Sequence, residues 1–464
     1  MRQGRSLLAC ALCAALFAVP AAEAAVKGPL RVLKANPRYF TNGTGRAVYL
    51  TGSHVWWNLG APDWTSLCWG APAAFDWDRH LDWLEEHDHN FVRLWRVEHT
   101  RWQMCFDDLA NPRATTASFH PWPRTGPGTG HDGGPAFDLS QPDQAYFDRL
   151  RERVAAANER GIYVAVMLFE GWWLHSVDET WRWIGHPFHA DNNVNGIDGD
   201  ADGDGLGTEI VTLAPTNADV LAIQEAYVRK VVETVNDLPN VLYEIANEAG
   251  VWSKDWQYHM IRLVKEVQPA GQRRPVGMTY PHPGGNNKLL YRSPADWISP
   301  WAHRYMDDPP PADGRKVIVS DTDHHCGLCG DATFGWRSFM RGLNPIYMDV
   351  IDEEAHDPVR TPIRRGLGQT LRWSKRINLA ASRPRGHLSS TGYALTVGRR
   401  AYLVYQPKSR RFRVDLRKAK GRYRVEWFRP AVDRSKLGKP VRGGAWRRFS
   451  PPFKGPAVLS LRKI

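Results

Sequence analysis

Past residue 24 the sequence has no apolar run of the roughly 20 residues that a membrane-spanning helix takes, so no transmembrane segment is expected there. Cysteine is scarce too. Of six in the chain, Cys10 and Cys13 fall within the first 24 residues, leaving Cys68, Cys105, Cys326 and Cys329. Only one Cys-x-x-Cys pair exists among them, which argues against a four-thiolate zinc site and makes Cys326–Cys329 a candidate local disulfide. No glycine-rich phosphate fingerprint follows the first strand-like segment, which argues against a dinucleotide fold. Acidic residues nearly vanish towards the end: residues 359–464 hold 29 Lys and Arg against 3 Asp and Glu, whereas residues 1–358 hold 32 against 46.

The first residues read as an export signal. Arg2 and Arg5 precede the apolar LLACALCAALFAVP, and Ala-Glu-Ala at 22–24 supplies the small residues of a cleavage site. A secreted or periplasmic location is therefore expected, with residues 1–24 removed. The charge asymmetry then marks two modules with different surfaces. An exported protein rarely meets nucleic acid, so the basic end is expected to face acidic glycan, an anionic cell surface or the acidic first module. Tryptophan is abundant, at 21 residues, often beside Gly, His or acids as in HVWWNLG and FEGWWLHS. Its flat apolar face with one donor suits stacking on sugar rings.

Strand-like and helix-like segments alternate along most of the chain. AVYLTGS, NFVRLWRVE, IYVAVMLFE and NVLYEIANE are apolar and β-branched, each followed by a segment with apolar residues at helical spacing. RPVGMTY, DWISPW, KVIVSD and NPIYMDV continue the strands, and RTPIRRGLGQTLRWSKRINLA closes with a helix. Eight such units predict an α/β fold, a (β/α)8 TIM barrel over 25–383. Beyond it, GYALTVG, AYLVYQP, RFRVDL, RYRVEWFRP and PAVLSLRK are short strands divided by turn residues, which predicts a small antiparallel β-sandwich over 384–464.

Working residues of such barrels sit at the C-terminal ends of the strands. Those ends carry His54, Trp56 and Trp57 on strand one, Arg93 and Glu98 on two, and Glu170 and Trp172 on three. Asn247 and Glu248 end strand four, Tyr280 and His282 five, Trp301 and His303 six, Asp321, Asp323 and His324 seven, and Asp349 eight.

YEIANE, with Glu directly after Asn at the end of strand four, resembles the acid/base signature of the retaining (β/α)8 glycosidases, glycoside hydrolase clan A. The resemblance implies that Asn247 holds a sugar 2-hydroxyl, that Glu248 protonates the leaving oxygen, and that Asp321 is the nucleophile. It also implies that Arg93 keeps the nucleophile ionised. Two departures stand out: Ala249 replaces the clan's usual Pro, and Asp replaces its usual Glu at strand seven, which leaves Asp323 as an alternative nucleophile. NPRYFTNGTGRAVYLTGSHVWWNL, SDTDHH and the C-terminal module together resemble the apiosidase-like glycosidases near glycoside hydrolase family 140, whose members often end in a collagen-binding-type module. A polysaccharide or oligosaccharide substrate is implied, with no cofactor for catalysis. His54, Trp56, Glu170, Trp172, Tyr280, His282, His303 and His324 are then expected to contact it. The competing readings are a carbohydrate-binding barrel without catalysis, a metallohydrolase built on Asp321, Asp323 and His324, and an adhesion protein acting through the basic module.

One motif stands apart from the barrel rim. DGDADGDGLGTE, residues 198–209, matches the calcium-loop pattern D-x-D-x-D-G-x5-E. Asp198, Asp200, Asp202 and Glu209 would bind through carboxylates and Asp204 through its backbone carbonyl. Five acids within twelve residues repel one another unless a cation joins them.

Overall fold

The computed structural model describes residues 25–26, 28–60, 75–102, 115–116, 119–174, 181–301, 304–350 and 358–464. The expected leader, Cys68, Cys105 and His303 lie outside them. Eight parallel strands close into a barrel: β1 (Gly52–His54), β2 (Phe91–Leu94), β3 (Tyr163–Glu170), β4 (Val241–Asn247), β5 (Val276–Thr279), β6 (Trp297–Ser299), β7 (Val317–Asp321) and β8 (Asn344–Met348). Each pairs with its sequence neighbour, and β8 returns to β1 through Ile346–Gly52 and Met348–His54. All eight strands are buried along their length, which is why they read as continuous apolar runs.

The helices form the outer ring, and their starts follow from capping chemistry. Asp76 accepts from the Arg79 amide at 3.0 Å to begin α1 (Trp77–Glu86), and Asp143 accepts from the Ala145 amide at 3.0 Å to begin α2 (Gln144–Glu159). Asn217 precedes α3 (Ala218–Val235) at the position of a cap but makes no capping bond there. Its amide donates instead to the Glu209 carbonyl at 2.7 Å, tying the acidic loop to the helix. After α4 (Lys254–Val267) the helices shorten until α7 (Arg360–Ser374), with α5 (Asp323–Cys326) and α6 (Phe334–Met340) between β7 and β8. Among the described residues no helix is long and apolar enough to cross a membrane.

The C-terminal part is a six-stranded antiparallel sheet covered by a two-stranded ribbon. The sheet order is β9 (Ser382–Pro384), β10 (Ala394–Val397), β11 (Ala401–Gln406), β16 (Ala457–Lys463), β13 (Arg422–Arg429) and β14 (Arg434–Arg442). The ribbon pairs β12 (Phe412–Asp415) with β15 (Trp446–Phe449). Alternation along the strands assigns the two faces. Tyr402, Val404, Val425, Trp427, Leu459 and Leu461 pack under the ribbon with Phe412 and Phe449. Leu403, Tyr405, Phe428 and Val458 point the other way, onto Trp336, Phe339 and Met340 of α6 and Leu371 and Trp373 of α7. The central strands are thus covered on both faces, and one apolar cluster joins the sheet to the barrel.

Candidate active site

Arg93 organises the C-terminal mouth of the barrel. It is 1% exposed, and a guanidinium buried that deeply needs acceptors on every side. Its Nε donates to Glu244 Oε2 at 2.9 Å, its Nη1 to Asp321 Oδ2 at 3.0 Å and Asp323 Oδ2 at 3.1 Å, and its Nη2 to Asn247 Oδ1 at 3.0 Å. Burial alone would lower the Arg93 pKa, but Glu244, Asp321 and Asp323 outweigh it and raise it. Arg93 is therefore a permanent positive charge holding four side chains from three segments.

The two acids after β7 differ sharply. Asp321 is fully buried, with Oδ1 accepting from the Asp323 amide at 3.0 Å and lying 3.0 Å from His54 Nε2, while Oδ2 takes Arg93. Burial pushes its carboxyl up, yet His54 and Arg93 prevail and hold it below the usual range. Both its oxygens are engaged, and it does not line the cavity at the barrel mouth, whereas Asp323 does. Asp323 starts α5, whose far end is tied by a disulfide between Cys326 and Cys329. Burial raises the Asp323 carboxyl and the nearby Asp321 charge adds to that, while Arg93 opposes both.

That cavity measures about 200 Å³ and is walled by Trp56, Trp57, Trp95, Trp172 and Trp173, with Glu170, Asn247, Glu248 and Asp323 as its polar groups. Glu248 sits at φ 42°, a left-handed conformation that costs a non-glycine residue energy and turns the side chain away from the strand's ordinary direction. The space for this turn comes from Gly171: a Cβ there would lie 2.4 Å from Ala249 Cα. Among the described residues none hydrogen-bonds the Glu248 carboxyl. Burial raises its pKa well above normal, and the negative charges of Asp323 and Glu170 raise it further.

Glu170 accepts from Trp95 Nε1 at 2.7 Å, the Trp172 amide at 3.0 Å and Asn247 Nδ2 at 3.1 Å. Burial nevertheless pushes it up to about 8. Behind it, Glu98 accepts from the Glu170 amide at 2.8 Å and lies 2.9 Å from His186 Nε2. His324 completes the ring, with Nδ1 2.7 Å from Ser299 Oγ and Nε2 3.2 Å from Asn247 Oδ1.

The expected rim residues thus divide. His54, Trp56, Arg93, Glu170, Trp172, Asn247, Glu248, Asp321, Asp323 and His324 come together. Tyr280 and His282 stand outside the cavity, with the Tyr280 hydroxyl donating to the Gly285 carbonyl. Asp349 faces away into a buried pair with Arg364, at 2.7 and 2.8 Å. Glu244, Trp95, Trp173 and Ser299 were not singled out from the sequence. Trp95 had a signal, since it lies two residues from Arg93 and so on the same strand face. A metal centre on Asp321, Asp323 and His324 meets a geometric objection: the Arg93 guanidinium already bridges both carboxylates where a cation would sit.

In the acidic loop, carboxylate oxygens of Asp200, Asp202 and Glu209 lie within 4.8 Å of one another. Asp200 Oδ1 and Glu209 Oε2 are shielded from solvent without a hydrogen-bond partner among the described residues. That donor set, all hard oxygens, fits calcium. Side chains along the loop also accept from its backbone: Asp198 from the Asp200 amide at 3.1 Å, Asp202 from the Asp204 amide at 3.1 Å, Asp200 Oδ2 from the Gly205 amide at 2.9 Å and Asp204 from the Leu206 amide at 2.8 Å.

No family model and no curated protein matches the chain. Among solved structures it is similar to one described as a glycoside hydrolase, at 12% identity and TM-score 0.59 over 94% of this chain and 97% of that one. It is also similar to a family 5 glycoside hydrolase from Bacteroides vulgatus, at 11% identity and TM-score 0.60 over 94% of each chain. At these identities the likeness is one of fold: the chain's closed parallel barrel is similar to structures described as glycoside hydrolases.

Proposed function

We propose that the protein is a glycoside hydrolase that cleaves an O-glycosidic bond in a polysaccharide or oligosaccharide with retention, using Glu248 as acid/base and Asp323 as nucleophile. The observation that carries this reading is a pair among the three carboxyls of the tryptophan-walled cavity: Asp323 beside Arg93 and Glu248 away from it, while Glu170 is held by three hydrogen bonds. Like charges so close push the two titrations apart, so the pair holds one proton between them. Arg93 favours the anion on Asp323, which leaves the proton on Glu248.

The Asp323 carboxylate attacks the anomeric carbon as the C–O bond breaks, and Glu248 gives its proton to the departing oxygen. Glu248, now ionised, takes a proton from water as that water's oxygen attacks the same carbon and releases Asp323. Asn247, held by Arg93 and Glu170, is placed to bond a ring hydroxyl, and the Trp faces suit the apolar face of a sugar. The clan resemblance puts the nucleophile at Asp321. Asp323 is favoured here because a nucleophile has to reach the cavity, whereas Asp321 braces His54, Arg93 and the start of α5.

Covalent trapping with a 2-fluoro glycoside of the sugar it cleaves, followed by peptide mapping, tests the assignment. The adduct is expected on Asp323; an adduct on Asp321 would return the nucleophile to the strand end. The narrower likeness to the apiosidase-like glycosidases, calcium binding by the 198–209 loop, and export directed by residues 1–24 belong to the same proposal. Their sequence patterns support each of them.

A further inference from the structure

The three carboxylates of the C-terminal part are all occupied. Asp415 Oδ2 takes Arg417 at 2.9 Å, Glu426 takes Arg376 at 2.7 Å, and Asp433 takes Arg372. The remaining cations there outnumber the acids, and several converge on one cleft of about 720 Å³ beside β9. Arg385, Arg399 and Lys418 line it, are exposed and form no ion pair among the described residues; Asp415, the acid in its lining, is already paired with Arg417 and also feels the Lys418 charge. Arg383 lines it as well, anchored by its Nη1 to the Ser382 carbonyl at 2.7 Å and its Nη2 to the Ala35 carbonyl at 3.1 Å. Positive crowding is felt next door: Arg38 is lowered first by burial and then by Arg383, with Arg385 adding to it. Trp446, 40% exposed, stands opposite Asp415 in the ribbon with Arg417 Cζ 5.5 Å from its ring.

We propose that this cleft is a binding site for an anionic polysaccharide, whose carboxylates or sulfates pair with Arg385, Arg399 and Lys418 while a sugar ring lies against Trp446. A guanidinium presents paired donors to either anion, and tryptophan offers the flat amphipathic face that a pyranose needs. Single-stranded nucleic acid fits less well, because it is bound by successive exposed aromatic platforms, and Tyr402, the cleft's aromatic lining residue, is buried. The choice of a glycan rests in part on the hydrolase reading, but binding here needs no catalysis.

The test measures Kd for the full chain with polygalacturonate, dextran sulfate, uncharged dextran and single-stranded DNA, in low and physiological salt. One variant combines Arg385→Ser, Arg399→Ser and Lys418→Ser. A second removes the same charge from the opposite sheet edge, with Arg434→Ser, Lys436→Ser and Lys439→Ser on β14. Thermal melting confirms that both fold. The proposal expects polygalacturonate, dextran sulfate or both to bind, dextran not to bind, and salt to weaken binding. The cleft variant should lose at least tenfold in affinity and the β14 variant less than threefold. Equal loss in both variants would reduce the effect to net charge and overturn the site. Binding of neither anionic glycan, or DNA binding as tight as theirs and lost in the same variant, would overturn the assignment to polysaccharide. Hydrolysis of a small glycoside should be unchanged in the cleft variant, so failure here is separable from failure at Glu248.

Discussion

At the scale of single residues, the site runs on burial opposed by one cation. At Glu170, where no cation acts, burial outweighs the hydrogen bonds the carboxyl accepts. Its folded-state pKa of about 8 lies above the unfolded carboxylate value of roughly 4.3, so the folded chain binds this proton more tightly. Its stabilising contribution is fully present below about pH 4.3, declines as pH rises towards 8, and is flat above. Urea unfolding across that window should show the decline, and Glu170→Gln should make it shallower, with Glu248 supplying a remaining part; an unchanged slope would mean that Glu170 is ionised throughout. Much of this site was legible, because polar residues that close apolar strands stand at the barrel mouth, where such folds place their chemistry. What was not legible is which of Asp321 and Asp323 faces the cavity. That depends on α5 starting straight after β7, a turn held by the Thr322 carbonyl accepting from the amides of Cys326 and Gly327 at 2.9 and 2.8 Å.

Among the elements, the acidic loop carries the clearest prediction. Calcium bound only by the folded chain adds stability as RT ln(1 + [L]/Kd), so saturating calcium should raise the melting temperature. A chelator should reverse the shift, and Asp200→Ala with Asp202→Ala should abolish it. No shift in the parent protein would leave the loop an acidic turn. Since Asn217 fastens Glu209 to α3, the same loss should loosen that helix's start, seen as faster amide exchange at Ala218–Leu221. The strands show where reading a sequence fails. All eight barrel strands were found from apolar runs, and β10, β11, β12, β13 and β16 as short strands between turn residues. β9, β14 and β15 were missed. β14 is an edge strand with Leu437 70% exposed, and with neither face buried it shows no hydrophobic period.

For the whole molecule, the sheet and barrel stand or fall together, because Phe428 and Tyr405 fill the surface left by Trp336 and Trp373. Phe428→Ala should cost about 3–5 kcal/mol and still unfold in one transition. Two separate transitions in calorimetry would show instead that the parts are independent. The charge asymmetry read from composition has a structural counterpart: the acids of the C-terminal part are spent on local or bridging ion pairs. Catalysis in the cavity is open to one direct comparison. Reducing ends released from a panel of plant and bacterial polysaccharides should be measured for the parent protein and Glu248→Gln side by side. The parent should release reducing ends from at least one polymer, and the variant should lose about 10²–10⁴-fold, the usual worth of a positioned general acid. Equal release by the two proteins would contradict it.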